Sequence, residues 1–405
     1  AASPKMTPPA QTSRRAAVPV PCRPCALRVG VDAGPLFGEG GISQYIRPLL
    51  RALFAMDTES DFQLILRSGW HRPKAAEVWT WLPPVTRVRV PDRILALWWE
   101  RLGWRLPIHR SVWNILDVFL ATCLVAPILP RGRLVSVLYD LIPLRLPEMF
   151  PDRERFRQRV ARLIARSGAV VAISHRTRQD LVEQMGADPE RIHVLYPGRR
   201  EGFGPAPAAA IADVVARFGI HGPYILYVGA LGPHKNVSTL LQAFERTRSR
   251  GGVRATLVLV GSLRWGHETV TALNALPSRE HVIVTGPVPD ADLLPLYSGA
   301  ACFAFPSLYE GFGLPVLEAM TCGTPVVVSN RGALPEVVGD AGLVVEADDP
   351  TAFAESMCRL LDDPQLRARY AAAAVARAAR FSWRQSAGNL LALLHGTTVG
   401  GNRSA

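Results

Sequence analysis

Two carboxylates, Glu310 and Glu318, lie eight positions apart in the stretch Ser307–Met320, with Gly-Phe-Gly between them. A strand-like run ends at Phe305, and Leu314-Pro315 is a favourable helix start because an early proline loses no needed N–H. The glycines therefore lie on a strand-to-helix loop, where a ligand can approach the backbone closely. The free amides and positive pole of the following helix suit a phosphate. Together these groups predict a site for a polyhydroxylated, phosphorylated ligand such as a sugar nucleotide.

Each carboxylate taken alone has a plainer explanation, in which Glu310 is a surface charge and Glu318 a helix-stabilising glutamate. The pattern places Glu318 in the first turn of the helix, on the same side of the cleft as Glu310. Their joint spacing around Gly311, Phe312 and Gly313 is what favours a ligand site.

Short apolar runs recur along the chain, and helical patterns separate most of them. This alternation predicts mainly parallel sheets covered by helices on both faces. A Gly-, Pro- and Ala-rich linker at 202–210 is predicted to join two such units, with ligands bound in the cleft beyond the carboxyl ends of the strands. The predicted strands are 27–32, 62–66, 85–90, 117–120, 134–138, 169–173, 192–195, 224–229, 256–260, 282–285, 302–305, 325–329 and 343–345.

The positive charge of the chain is concentrated in its first half. The net charge is +12, and residues 1–200 carry 30 Lys and Arg against 17 Asp and Glu, whereas the remainder carries 16 against 17. This asymmetry predicts an anionic partner for one domain, such as phosphorylated lipid, an anionic membrane surface or nucleic acid. Nucleic acid is disfavoured because no motif typical of its recognition is present. A membrane span is not predicted, because no run of about 18 uncharged apolar residues occurs.

Beyond this stretch, the sequence resembles the retaining glycosyltransferases of family four, two-domain enzymes of the GT-B fold. Their signature is a Glu, seven residues and a second Glu, as at Glu310 and Glu318, and the resemblance covers roughly residues 27–395. The sequence looks most like the bacterial mannosyl- or rhamnosyl-type transferases of polysaccharide assembly. Further matching segments are Gly40–Tyr45, Val137–Pro143, Val171–His175, Val194–Gly198 and the phosphate-binding loop Gly229–Asn236.

The resemblance implies a role for each matching residue. Lys235 neutralises the diphosphate as charge builds on the leaving group, Glu310 holds the hydroxyls of the donor sugar, and Glu318 binds the ribose. No protein nucleophile is implied, since the leaving phosphate accepts the acceptor's proton in a front-face attack, unlike the two-carboxylate scheme of glycoside hydrolases. The implied catalytic residues are Glu310, Lys235, Asp140 and Tyr139, and the donor-binding residues are Glu318, Gly311, Phe312, Gly313, Leu314, His234, Gly229, Gly41 and Gly40.

Two positions depart from the family pattern. His234 stands where relatives usually have Arg, and a neutral imidazole binds diphosphate more weakly than a guanidinium. Tyr139 stands where relatives often have a His that contacts the donor sugar or acceptor region. These departures bear on donor choice and rate.

The resemblance implies an α/β fold of the GT-B type, with two Rossmann-like, doubly wound parallel-sheet domains facing each other across a cleft. The predicted order is a disordered leader at 1–26, an acceptor-side domain at 27–203 and a nucleotide-sugar-binding domain at 204–380. A helix at 381–395 is predicted to cross back to the first domain, and a flexible tail follows at 396–405.

No metal and no cofactor are expected besides the donor substrate, for which GDP-mannose is the first candidate. Asp290 and Asp292 form an Asp-x-Asp pair that can hold a metal in another glycosyltransferase fold, but Asp292 is interpreted as the cap of a helix over 293–298. Cys22 and Cys25 have metal-like spacing without a second ligand pair. The cysteines indicate no disulfide framework, so a reducing cytoplasm is expected.

The segment 92–109 holds three Trp and three Arg and is either a membrane-interface surface or a core helix with a basic outer face. With the basic first half, it favours a lipid-linked saccharide acceptor and peripheral attachment to the inner face of the cytoplasmic membrane. Two other functions stay open: a nucleotide-sugar epimerase on the same fold, and a catalytically degenerate protein that binds sugar nucleotides or other anions. The oligomeric state is left open.

Overall fold

The computed structural model describes residues 26–38, 40–67, 81–88, 94, 116–129, 132–250, 254–262 and 267–396. Within these ranges the chain forms thirteen strands: β1 (Arg28–Asp32), β2 (Asp61–Arg67), β3 (Val85–Val88), β4 (Val118–Ala121), β5 (Arg133–Leu138), β6 (Ala169–Ala172), β7 (Ile192–Val194), β8 (Tyr224–Val228), β9 (Thr256–Val260), β10 (Val282–Gly286), β11 (Cys302–Phe305), β12 (Val326–Ser329) and β13 (Leu343–Val345). They form a seven-stranded sheet, ordered β3-β2-β1-β4-β5-β6-β7, and a six-stranded sheet, ordered β10-β9-β8-β11-β12-β13. All pairings are parallel.

This architecture confirms the prediction of two Rossmann-like parallel-sheet domains. Strands such as β9 and β12 are buried at every residue, which is the burial expected of β-branched runs covered by helices on both faces. The strand order changes direction between β1 and β4 in the first sheet and between β8 and β11 in the second. Ligands bind at such switch points, beyond the carboxyl ends of the strands.

The helices that cover the described sheets are α1 (Gly41–Met56), α2 (Ile142–Arg145), α3 (Arg153–Arg166), α4 (His175–Met185), α5 (Ala208–Arg217), α6 (Val237–Ser249), α7 (His267–Asn274), α8 (Asp290–Gly299), α9 (Leu314–Thr321), α10 (Leu334–Val338), α11 (Pro350–Asp362), α12 (Pro364–Ala378) and α13 (Trp383–His395). The last of these, α13, packs along α1 of the first domain. Among the described residues, no helix is both long and apolar enough to cross a bilayer.

Two of the predicted element boundaries are wrong. The predicted linker at 202–210 overlaps the start of α5, because its alanines extend a helix whose buried side is carried by Val214. Helix α8 begins at Asp290, so Asp292 lies in its first turn and is not its cap. The predictions for 1–25, 89–90, 397–405 and nearly all of 92–109 lie outside the described residues, and the predicted domain limits stay predictions.

The chain crosses between the two sheets twice, and the two crossings pack against each other. The Arg199 N–H donates to the Phe381 carbonyl at 3.2 Å, and the Ser386 hydroxyl donates to the Tyr196 carbonyl at 2.5 Å. A Cβ added to Gly198 would lie 2.2 Å from the backbone nitrogen of Trp383. The crossings therefore meet at a separation that only glycine permits.

Candidate active site between the two sheets

Lys235 and Glu310 are 75 positions apart in the sequence and form an ion pair, with Nζ 2.6 Å from Oε1. Their side chains are only 16% and 10% exposed. Lys235 ends a short 3-10 turn after β8, and Glu310 lies on the loop after β11. Because β8 and β11 are neighbours at the switch point of the second sheet, their carboxyl ends present both groups at one edge.

The loop that carries Glu310 packs directly on Tyr139 and Asp140 of the first domain. A Cβ on Gly311 would lie 2.3 Å from the Tyr139 carbonyl oxygen and 2.8 Å from the Asp140 Cβ, so only glycine fits there. Burial raises the pKa of Asp140, and the negative charge of Glu310 raises it further while Lys235 lowers it. Asp140 therefore lies within the electrostatic reach of the Lys235–Glu310 pair.

Tyr139 has its hydroxyl committed to the protein. The hydroxyl donates to the Thr122 carbonyl at 3.0 Å, and the ring packs edge-on against Tyr45. Burial raises the pKa of Tyr139 well above its usual value, so the phenol stays neutral. The hydroxyl proton of Tyr139 is therefore engaged in a hydrogen bond to a backbone carbonyl within the first domain.

Glu318 lies at the fifth residue of α9, in the second turn, so its predicted first-turn position is wrong. The Glu318 residue is 8% exposed, and its carboxylate accepts bonds from Arg200 Nη1 and the Tyr297 hydroxyl, each at 3.0 Å. Burial raises the pKa of Glu318, and the guanidinium of Arg200 opposes that shift. Neither partner follows from the local sequence pattern, since Arg200 lies on the first interdomain crossing and Tyr297 on α8.

A cavity of about 170 Å³ lies between the domains beside Glu318 and Arg200. Ser43 and Gln44 of α1 line one side, and Leu314 of α9 lines the other. The structure places the predicted residues Gly40 and Gly41 next to this region, at the cap and the first position of α1. The amides of a helix start have no acceptor within the helix, so both helix starts are suited to receive an anion.

The remaining predicted donor residues lie on the two loops that follow β8 and β11. Gly229 follows β8 directly, and its N–H donates to the Val260 carbonyl at 2.9 Å. The His234 carbonyl accepts from the Leu308 N–H at 2.8 Å, which joins the two loops. Burial lowers the pKa of His234, so the imidazole is neutral at physiological pH and adds no positive charge beside Lys235.

Phe312 and Gly313 shape the start of α9. Phe312 is 2% exposed and packs against Tyr196 and Phe381 of the interdomain crossings, so its side chain anchors the loop. Gly313 caps the helix with φ +103°, a conformation that favours glycine. Gly332 was missed by the sequence analysis: a Cβ there would lie 2.4 Å from the Glu310 carbonyl oxygen.

Within the described part of the chain, no group of three or more His, Cys, Asp and Glu is arranged to hold a metal ion. The Asp-x-Asp pair is engaged with arginines: Asp290 pairs with Arg200, and Asp292 pairs with Arg217 at 2.7 Å. These ion pairs connect α8 to the first interdomain crossing, through Arg200, and to α5, through Arg217.

The two facing parallel-sheet domains, with the Lys235–Glu310 pair at the switch point of the second sheet, have the architecture of the GT-B fold. Solved structures share this fold. HepE from Anabaena, determined in complex with UDP-glucose, aligns with a TM-score of 0.72 at 20% identity, covering 91% of this chain and 100% of that one.

Family profiles match both halves: "Glycosyltransferase Family 4" at residues 39–200 and "Glycosyl transferases group 1" at residues 217–377. The O-antigen chain mannosyltransferase B of Escherichia coli is 34% identical over 255 residues, which are 62% of this chain and 67% of that protein. A D-inositol 3-phosphate glycosyltransferase of Corynebacterium efficiens is 30% identical over 320 residues, 76% of this chain and 72% of that protein. The chain belongs to glycosyltransferase family 4.

A third relative is much longer than the region it shares with this chain. The serotype-specific mannosyltransferase WbdA of Escherichia coli is 31% identical over 263 residues, which are 62% of this chain and 32% of that protein.

Proposed function

We propose that this protein transfers mannose from GDP-mannose to a lipid-linked saccharide acceptor in bacterial polysaccharide assembly, with retention at the anomeric carbon and without a metal ion. The observation that carries the proposal is the buried pair of Lys235 and Glu310, 2.6 Å apart and packed against the Asp140 segment. The names of the two Escherichia coli relatives support mannose as the sugar.

In the proposed reaction, the donor binds mainly to the second domain. Lys235 donates one N–H to Glu310, and its ammonium has two further N–H groups that can donate to the diphosphate. Glu310 accepts bonds from sugar hydroxyls, and Glu318 accepts bonds from the ribose. The bond from the anomeric carbon to the diphosphate breaks as the acceptor oxygen attacks from the same face, and the leaving phosphate oxygen takes the acceptor's proton. Lys235 stabilises the charge that develops on the phosphate.

The acceptor side of the proposal depends on charge. Residues 1–200 carry 30 basic and 17 acidic side chains, and α3 exposes Arg153, Arg155 and Arg162 to solvent. A basic surface of this kind is attracted to anionic lipid headgroups. This supports peripheral attachment to the inner face of the cytoplasmic membrane, where a polyprenyl diphosphate saccharide is accessible.

A second acceptor class is favoured by the D-inositol 3-phosphate glycosyltransferase of Corynebacterium efficiens, which matches 76% of this chain. A water-soluble phosphorylated polyol would then replace the lipid-linked saccharide, with the donor site unchanged.

The test is transfer by purified protein with GDP-mannose or UDP-glucose as donor. The acceptors are a polyprenyl diphosphate saccharide, D-inositol 3-phosphate, or none, each with and without EDTA. We expect mannosylation of the lipid-linked acceptor, a retained anomeric configuration by NMR, and no loss with EDTA. Glu310→Ala should abolish turnover, whereas Glu355→Ala, at an exposed carboxylate paired with Arg250, should not. Epimerised donor without acceptor would support an epimerase, and donor binding without turnover would support a degenerate binding protein.

A further inference from the structure

Helix α4 of the first domain has its N-terminal amides satisfied from both domains. Ser174 provides the local cap, since its hydroxyl accepts from the Thr177 N–H and its carbonyl accepts from the Arg178 N–H, both at 3.0 Å. The first two amides, of His175 and Arg176, donate to the two carboxylate oxygens of Glu336 in the second domain, at 2.7 and 3.0 Å. A negative charge at a helix N-terminus is favourable, so Glu336 attaches the second domain to this helix.

One turn further along α4, Asp180 receives a second contact from the other domain. Asp180 is fully buried and accepts bonds from the Tyr309 hydroxyl and from the Nε atoms of Arg145 and Arg176, the latter two at 2.9 Å. Burial raises the pKa of Tyr309, and its hydrogen bond to Asp180 raises it further, so the phenol stays a proton donor. Tyr309 directly precedes Glu310, and the contact therefore anchors the loop that carries the donor-binding carboxylate.

Between these two contacts, Thr177 joins the loops of both domains. Its hydroxyl oxygen lies 3.2 Å from the Tyr139 carbonyl oxygen and 3.4 Å from the Gly311 carbonyl oxygen. Thr177 is 1% exposed, so water does not compete for these contacts. One face of α4 thus contacts the Glu310 loop, the Glu336 helix and the segment that leads to Asp140.

We propose that Tyr309 and Glu336 are positioning residues, which dock the second domain on α4 and so hold Glu310 and Lys235 against Asp140. The expected effect on turnover rests on the proposed function. The docking of the second domain on α4 rests on the contacts alone. The proposed donor contacts lie mainly within the second domain. Loss of the docking contacts therefore lowers the turnover number and leaves the affinity for the donor unchanged.

The kinetic test uses two variants with little change in side-chain volume. Tyr309→Phe removes the hydroxyl that donates to Asp180, and Glu336→Gln removes the negative charge and leaves one acceptor oxygen for the two amides. The matched controls are Tyr224→Phe, whose buried hydroxyl donates to the Leu296 carbonyl within one domain, and Glu355→Gln on the surface. We expect kcat to fall on the order of tenfold in each docking variant. The Kd for GDP-mannose, measured by titration calorimetry, should stay within about twofold, and the controls should match wild type. A raised Kd with unchanged kcat, or no change in either quantity, overturns the inference.

The structural test is hydrogen exchange at the amides of His175 and Arg176, which needs no substrate. Because these amides have no acceptor within their own helix, their protection reports on Glu336. Exchange there should be on the order of tenfold faster in Glu336→Gln and unchanged in Glu355→Gln. Lack of protection in wild type overturns the docking. Protection without transfer from either donor refutes the proposed function and leaves the docking standing.

Discussion

Replacing Lys235 with methionine should both destabilise the protein and abolish transfer. At the observed 2.6 Å, and with an effective dielectric constant of about 20, the attraction between Lys235 and Glu310 is about 6 kcal/mol. Much of this attraction offsets the desolvation of two side chains that are 16% and 10% exposed. Removing only the ammonium leaves the Glu310 carboxylate buried without its partner, which should lower the free energy of unfolding by about 3–5 kcal/mol.

A second variant separates the loss of stability from the loss of activity. Combining Lys235→Met with Glu310→Gln removes both charges, so the free energy of unfolding should return to within about 1–2 kcal/mol of wild type. The double variant should remain inactive, because neither the ammonium for the diphosphate nor the carboxylate for the sugar is present.

The assay is urea unfolding followed by tryptophan fluorescence, together with initial rates of transfer. The matched control is Arg250→Met, which breaks the exposed pair with Glu355, whose side chains are 48% and 54% exposed. It should change the free energy of unfolding by less than about 1 kcal/mol. If Lys235→Met is as stable as this control and the double variant is less stable than the single one, the buried pair does not form in the folded protein.

Three further predictions follow from the glycines and from His234. Gly311→Ala places a methyl group 2.3 Å from the Tyr139 carbonyl oxygen, so it should separate the loops and reduce transfer at least about tenfold in rate assays. Gly198→Ala places a methyl group 2.2 Å from the backbone nitrogen of Trp383. It should lower the free energy of unfolding, measured by urea unfolding, by about 1–3 kcal/mol. Burial lowers the pKa of His234 below 6.5, so the unfolded chain binds its proton more readily and stability is lost as the pH falls below 6.5. His234→Gln should flatten this loss in urea midpoints measured from about pH 7.5 to 5.5.

Gly204→Ala is the control for both glycine variants, because a Cβ there meets nothing within 4 Å. Its stability should stay within about 0.5 kcal/mol of wild type. Wild-type rates for Gly311→Ala would mean that the two loops are not in contact during turnover. A Gly198→Ala variant as stable as Gly204→Ala would mean that the crossings are not packed as described. An unchanged acid-side slope in His234→Gln would show that the imidazole is not buried.

The fold was largely predictable because its signals are local. Apolar runs such as Thr256–Val260 specify buried parallel strands, and Leu314-Pro315 after Gly313 specifies where α9 begins. The wrong linker boundary also has a local cause. The Gly and Pro residues beside Ala208 predict a linker, but the alanines from Ala208 onward belong to a helix whose apolar side is covered by the rest of the protein.

The candidate site was predictable only in part. The spacing of Glu310 and Glu318 identified the two carboxylates, because a strand-to-helix loop at a sheet edge has recognisable glycines. The partner of Glu318 was not predictable, because Arg200 lies on a crossing whose sequence carries no motif of its own. The sequence pattern also predicts Glu318 in the first turn of α9, whereas the residue lies in the second turn.

The sequence by itself determined the order of strands and helices, the loops at their carboxyl ends, and the types of side chain that those loops carry. Only the tertiary structure decided which of these groups meet. Lys235 and Glu310 are 75 positions apart, Arg200 and Glu318 are 118 apart, and Arg176 and Glu336 are 160 apart. Contacts at hydrogen-bond distance between such residues depend on the packing of two sheets and two chain crossings. That packing is a property of the whole folded chain, since no short segment contains both partners.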